Sequence, residues 1–307
     1  MSSEAKELFE DTISIFTTSK NRPQYLTRLY KSLDVQKNIN NIKIQWIIGV
    51  DGDTKGTVDV VRQFESAHNN SLSIEVFEFP GIGKHKVLNR LQGMQRGFLT
   101  TIVDDDDFLV ENAIETIFDV KNRFPKSEEI IFLRGNEKTG KPIRTFPSDE
   151  YFGNVFDYRY RDNLVGDYFE VYDTELFNSH TFPEFQSERF ISEGTKWQPM
   201  SLNANGVFIN KVLYLSDYHD DGLTKNVRKL QISNPQGVLF RQKQIFSENR
   251  FPIKIRLRSL AMYSLFLNYV DDVDEKSDVD RFLNSNILKI VSLLLRPFSY
   301  YLRKKNS

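Results

Sequence analysis

Short runs of β-branched and aromatic residues recur along the first half of the chain, each closed by a polar or Gly/Pro break and followed by apolar residues at helical spacing. TISIFTT (12–18) leads into Ser19-Lys20-Asn21-Arg22-Pro23, where Asn suits a helix cap and Pro the first helical position. Leu26, Leu29, Tyr30 and Leu33 then share one helix face. IKIQWIIGV (42–50) stops at Asp51-Gly52-Asp53, and from Thr57 on Val58, Val61 and Phe64 keep the helical spacing. LSIEVFEF (72–79) alternates as a strand does and stops at Pro80-Gly81. Residues 83–97 predict a third helix carrying Val87, Leu88, Leu91 and Met94, and FLTTIV (98–103) a fourth strand. That strand runs into four consecutive aspartates, Asp104 to Asp107. Alternating strands and helices with short loops predict an α/β fold with a mostly parallel, Rossmann-like sheet flanked by helices, whose ligands bind beyond the carboxyl ends of the strands. Asp51, Asp53 and the four aspartates all fall at that edge.

The second half is less regular. A helix starting near Glu111 and a strand at EIIFLRG (129–135) precede an aromatic stretch over 146–190. Loops rich in Tyr and Phe suit either a lid over a substrate or a small aromatic core. NGVFINKVLYL (205–215) predicts another strand, YHDDGLTKN follows, and Asn234-Pro235-Gln236-Gly237 forms a turn that closes the regular part. The expected organisation is a domain over 10–237, divided into halves 10–110 and 111–237, and a helical, basic extension over 238–307. Residues 271–280 hold six Asp or Glu, whereas 281–307 carry six Lys or Arg and no acid. Ile287, Leu288, Ile290, Val291, Leu293, Leu294 and Leu295 make an apolar helix that Pro297 ends. It fits an anionic membrane surface, or a helix docked on the main domain.

Composition removes several classes of function. The chain has no cysteine, which excludes disulfides, thiolate metal sites and a cysteine nucleophile. A net charge of −1 gives no electrostatic footprint for nucleic acid. No run reaches the roughly 18 apolar residues of a membrane span. MSSEAKELFED is acidic and lacks the basic-then-apolar order of a signal peptide. A cytoplasmic location is expected, or a peripheral one on the inner face of the membrane.

The aspartates carry the chemistry. Two like charges about 4 Å apart repel by about 1 kcal/mol in water and several-fold more when desolvated, so a buried Asp104–Asp107 turn needs counter-charge. Mg²⁺ and Mn²⁺ take one or two carboxylates together with phosphate oxygens and water. Asp104 and Asp106 have the Asp-x-Asp spacing for such a cation, and Asp107 is placed to orient a sugar or ribose hydroxyl. Strand alternation predicts that Asp105 points away and is spared. The plainer alternative is an acidic turn capping the helix near Glu111. Lys84, His85 and Lys86 either add positive charge near phosphates or form a solvated helix start.

The same segments resemble family 2 glycosyltransferases of the GT-A fold. TISIFTTSKNRPQYLTRLYKSL is similar to their opening strand, turn and helix, QWIIGVDGDTKGT to their second strand and its acidic loop, and GIGKHKVLNRLQGMQRGFLTTIVDDDD to the stretch that ends in Asp-x-Asp. FPEFQSERFISEGTKW and YHDDGLTKN follow in the family's order, so the resemblance covers about residues 12–237. It implies an inverting, metal-dependent enzyme that moves a sugar from a nucleotide-sugar donor to a glycan or lipid-linked acceptor in cell-surface polysaccharide synthesis. Thr17 and Arg22 would lie beside the nucleotide, Asp51 or Asp53 on its base or ribose, and Asp104 and Asp106 on Mn²⁺ or Mg²⁺. Glu193 would deprotonate the acceptor, with Glu188 in reserve, unless Glu193 is only a first-turn helix residue favoured by the dipole. His219 would be a third metal ligand or phosphate contact, or an ordinary hydrogen-bonding residue, with Asp221 as the other candidate of that motif. Two departures stand out: Gly52 replaces the usual second Asp of the nucleotide loop, and Glu193-Gly194 stands where many relatives have Glu-Asp. The rival readings are a nucleotidyltransferase, for which TTSKNRPQ is poor in glycine, and an inactive transferase-like binding subunit.

Overall fold

A computed structural model of the protein describes residues 8–36, 41–52, 56–67, 71–161, 164, 166–216 and 223–270. Asp53, His219, Asp221 and the tail from 271 on lie outside the described residues, as do the expectations attached to them. Nine strands occur among the described residues: β1 (Phe9–Ser19), β2 (Lys43–Asp51), β3 (Leu72–Phe79), β4 (Gly97–Ile102), β5 (Phe108–Leu109), β6 (Glu129–Asn136), β7 (Glu150–Asn154), β8 (Phe169–Asp173) and β9 (Asn205–Ser216). The helices are α1 (Pro23–Asp34), α2 (Thr57–Ala67), α3 (Lys84–Leu91), α4 (Ala113–Arg123), α5 (Val155–Tyr160), α6 (Thr174–Asn178), α7 (Gly194–Ser201), α8 (Leu223–Ser233), α9 (Pro235–Ser247) and α10 (Ile253–Phe266).

One sheet runs in the order β3-β2-β1-β4-β8-β6-β9-β5, with β7 also on β9. The first four strands are parallel, because each helix returns the chain to the same edge. β8 then pairs antiparallel with both β4 and β6, and β5 and β7 pair antiparallel with β9. The parallel expectation therefore describes the first half, and the second half is mixed. β1 and β2 are covered on both faces, with Ile13, Ile15, Phe16, Trp46, Ile47 and Ile48 all buried. That double burial is why these strands read as continuous apolar runs.

Two local readings change. The third helix stops at Leu91, six residues short of its expected end, because Gln92 turns extended at ψ 132° and Gly93 adopts φ 89°. Pro23 does open α1, but the cap position belongs to Arg22, and Asn21 sits in the left-handed region at φ 57°.

The chain divides into two compact units, Met1–Phe182 with Lys196–Asp220, and Pro183–Thr195 with Asp221–Ser307. The sheet belongs to the first. There the aromatic stretch packs as a core, since Phe146, Tyr158, Tyr168 and Phe208 are buried together, with Tyr151 stacked on Tyr158 at 3.9 Å. In the second unit α9 and α10 pack through Val238, Leu239, Tyr263, Leu265 and Phe266. Residues 183–195, read from the sequence as part of the transferase domain, group with these C-terminal helices.

Lys196 is a cost built into the first unit. It is 1% exposed. Its Nζ lies 3.6 Å from the Phe177 ring centre, 5.4 Å from Trp197 and 5.6 Å from Phe182, and donates to Gln92 Oε1 at 2.8 Å. Burial pulls its ammonium down to about 7. An unfolded lysine keeps its proton to about pH 10.4, so between about 7 and that value the unfolded state binds more protons and stability rises with pH. Lys196→Met should fill the aromatic box with a neutral, adaptable side chain. Scanning fluorimetry from neutral to alkaline pH is expected to show the variant more stable than wild type near pH 7, with a flatter rise above it.

Candidate active site

β4 ends at Ile102, and the aspartates that follow form a turn closed by the Asp107 N–H donating to the Asp104 carbonyl at 3.2 Å. The turn splits them into two pairs. Asp105 and Asp107 are buried at 4% and 5% exposure, whereas Asp104 and Asp106 are partly exposed. The Ser19 hydroxyl, at the end of β1, donates to Asp105 Oδ2 at 2.6 Å. The Tyr214 hydroxyl, on β9, donates to Asp107 Oδ2 at 2.7 Å and accepts from the Asp104 N–H at 3.2 Å. On the outer pair, Lys84 Nζ lies 2.7 Å from Asp104 Oδ1, and the Arg22 guanidinium lies 2.7 Å from Asp106 Oδ2 and 3.8 Å from Asp105 Oδ1. Asp105 is thus not a spare group: it ties the acidic turn to β1. Asp107, expected to touch the donor, lies on the buried side with Asp105.

Charge follows this division. Burial pushes the Asp105 carboxyl up to about 6, against the Ser19 hydrogen bond, and the Asp107 carboxyl up to about 7, with the Asp104 charge adding to the effect. Burial would also raise Asp104, but Lys84 first, then Arg134 and Arg22, hold it below its ordinary value.

Four residues of the site were not foreseen: Ser19, Arg28, Arg134 and Tyr214. The β6–β9 register sets Arg134 opposite Tyr214, with its guanidinium 4.3 Å from the tyrosine ring centre. Burial opposes the Arg134 charge, but Tyr214, Asp104 and Asp107 hold it protonated. Arg28 donates to the Asp106 carbonyl, pairs with Glu137 at 2.6 Å and lies 4.8 Å from the Phe108 ring centre. The one visible signal was Arg134, a lone charge at the end of the apolar run EIIFLRG.

The nucleotide-loop residues behave as anchors. Asp51 is buried, and its two carboxylate oxygens accept from the Ile82 N–H at 2.7 Å and the Gly83 N–H at 2.8 Å. It therefore fixes the loop that leads into Lys84. Thr17, expected beside the nucleotide, is fully buried: its hydroxyl donates to the Val103 carbonyl at 2.8 Å and accepts from Trp46 Nε1 at 2.9 Å. Gly52 has φ 74°, and a side chain there would come within 3.0 Å of the Gly81 Cα. This backbone approach accounts for the missing second Asp. His85 is buried with its ring 6.5 Å from Phe182, so it is not part of a solvated helix start.

In the second unit Glu193 is exposed, immediately before the first residue of α7. Arg241 NH1 donates to the Gly194 carbonyl at 2.7 Å, and its guanidinium occupies the place a side chain at 194 would take. Glu188 is buried and caps α9, accepting from the Gln236 N–H at 2.5 Å and the Gly237 N–H at 2.7 Å.

Among the described residues, no three or more His, Cys, Asp or Glu side chains are placed to hold a metal by themselves. A hard cation needs fewer when a diphosphate and water complete its shell. Asp104 and Asp106, both partly exposed carboxylates, fit that chemistry if Lys84 and Arg22 give way.

Comparisons with known proteins bear on the fold and the family. The fold is similar to that of S. aureus TarS 1–349 in complex with UDP, at 16% identity over 84% of this chain and 71% of that one, with a TM-score of 0.61. The same protein in complex with UDP-GlcNAc gives 16%, 84%, 72% and 0.61. The mannosyltransferase PcManGT from Pyrobaculum calidifontis, in complex with GDP-Man and Mn²⁺, is 10% identical over 95% of this chain and 90% of that one, with a TM-score of 0.55. At such identities the likeness shows the GT-A fold. No curated protein sequence matches significantly. The description Glycosyl transferase family 2 matches residues 14–173, just over half of the chain and the part that carries β1 to β8 and the acidic turn, so this protein belongs to family 2 of the glycosyltransferases.

Proposed function

We propose that the protein moves a sugar from a nucleotide-sugar donor to a hydroxyl of a glycan or lipid-linked acceptor, with inversion and with the help of a divalent cation. The observation that carries this reading is the split of the four aspartates. Two are tied inside by Ser19 and Tyr214, and two are presented at the carboxyl edge of parallel strands, where open α/β sheets take nucleotides. Arg22 and Lys84 put positive charge on the same turn. The donors bound to the neighbouring structures, UDP-GlcNAc and GDP-Man, support the class.

Glu193 takes the acceptor proton. The acceptor oxygen forms its bond to the anomeric carbon from the side opposite the leaving group, while the carbon–oxygen bond to the diphosphate breaks and its electron pair stays on the diphosphate. Asp104 and Asp106 hold the cation, which when bound contributes several kcal/mol by neutralising that charge. The basic, apolar composition of 281–307 fits an acceptor presented at a membrane in polysaccharide synthesis.

Thermal shift with UDP, GDP and other nucleoside diphosphates, with and without Mn²⁺, tests the donor reading. A ligand at 100 times its Kd adds about 2.7 kcal/mol, so stabilisation by one of them, larger with Mn²⁺, is expected. If none stabilises the protein under either condition, the donor reading is wrong.

A further inference from the structure

The two carboxylates assigned to the cation already carry cations of the protein itself. Lys84 Nζ sits 2.7 Å from Asp104, and the Arg22 guanidinium 2.7 Å from Asp106 and 3.8 Å from Asp105. The two bases arrive from separate elements, Arg22 from the loop before α1 and Lys84 from the first turn of α3. Their side chains are 33% and 27% exposed, and those of Asp106 and Asp104 21% and 32%. Ion pairs in contact with water are weak and exchange readily.

We propose that Lys84 and Arg22 are exchangeable counter-ions of the cation site. They neutralise Asp104 and Asp106 while no donor is bound, compete with the divalent cation for those oxygens, and pass to the diphosphate when donor and cation enter together. The inference rests on the donor reading above.

Charge balance drives the exchange. With both bases on both aspartates the outer pair is neutral. A dication and a diphosphate diester cancel each other's charge, so their joint entry leaves it neutral again. A cation alone must displace two like charges, and a diphosphate alone meets two carboxylates. Each ligand therefore raises the affinity of the other, and by linkage the two effects are equal. The bases also explain how four adjacent aspartates coexist: two lie inside on hydroxyl donors, and two are paired outside.

Calorimetric titration of Mn²⁺ into wild type, Lys84→Ala and Arg22→Ala, each with and without UDP or whichever diphosphate stabilises the protein, tests the exchange. In wild type the diphosphate should tighten Mn²⁺ binding about tenfold, within the usual range of coupling. Each variant should bind Mn²⁺ alone about three- to tenfold more tightly than wild type, bind the diphosphate alone more weakly, and show less coupling. Lys84→Gln and Arg22→Gln, checked for fold by circular dichroism, serve where an alanine variant is unstable. Variants that bind Mn²⁺ alone no more tightly than wild type overturn the exchange and leave the donor reading intact. If wild type binds no diphosphate with or without Mn²⁺, the donor reading falls first.

Discussion

Glu193→Gln is expected to bind donor and Mn²⁺ as wild type does and to transfer sugar about 10²- to 10⁴-fold more slowly, the usual contribution of a general base. Gln keeps the shape of Glu and cannot accept the proton. Glu193 is exposed just before α7. Glu188, the other candidate, holds both carboxylate oxygens on the first N–H groups of α9, so it cannot take over the role without uncapping that helix. Nor does a neighbour compensate, because position 194 is glycine beside the Arg241 guanidinium. Release of nucleoside diphosphate at saturating donor measures the effect: the turnover number should fall while the donor KM stays put. Transfer at the wild-type rate would move the base to another group.

The strands and helices of the first half were legible because each is a local pattern, β-branched runs for β1, β2 and β4 and helical spacing for α1 to α3. So was the edge at which Asp51 and Asp104 to Asp107 gather. What local pattern could not supply was pairing over distance. Ser19 meets Asp105 across 86 positions and Tyr214 meets Asp107 across 107. Both partners are uncharged: Ser19 opens a polar turn and Tyr214 lies in an apolar run, and nothing local pairs either with an aspartate. Strand parity sets Asp105 apart, and Asp107 was expected on the donor; the strand ends at Ile102, and hydroxyl donors beneath the turn draw both Asp105 and Asp107 inside. The same limit applies to Thr17 and Asp51. Resemblance to the family draws them toward the nucleotide, while the Trp46 indole and the 82–83 backbone already engage their polar atoms. The aromatic stretch was ambiguous for a different reason, since Tyr and Phe serve a lid and a core equally well until their partners, such as Phe208, are known.

Asp51→Ala should give the largest loss of stability among the site variants, and it separates an anchor from a ligand contact. Removing the carboxylate leaves the Ile82 and Gly83 N–H groups without their acceptor in a largely buried loop. Leaving a buried donor unsatisfied costs about 1–3 kcal/mol, and less for the part-buried Ile82 N–H, so a loss of about 2–4 kcal/mol is expected, or a fall in Tm of roughly 5–15 °C. Asp51→Asn keeps one acceptor and turns an amide donor toward the other N–H, so its Tm should lie between wild type and Asp51→Ala. Lys84 directly follows this loop and pairs with Asp104. Loosening the loop should therefore also weaken diphosphate binding, in proportion to the loss of Tm across the two variants. Scanning fluorimetry of the ligand-free proteins beside a nucleotide titration decides the matter. An unchanged ligand-free Tm with weakened binding would make Asp51 a direct nucleotide contact, and the backbone hydrogen bonds would then contribute little to holding the loop.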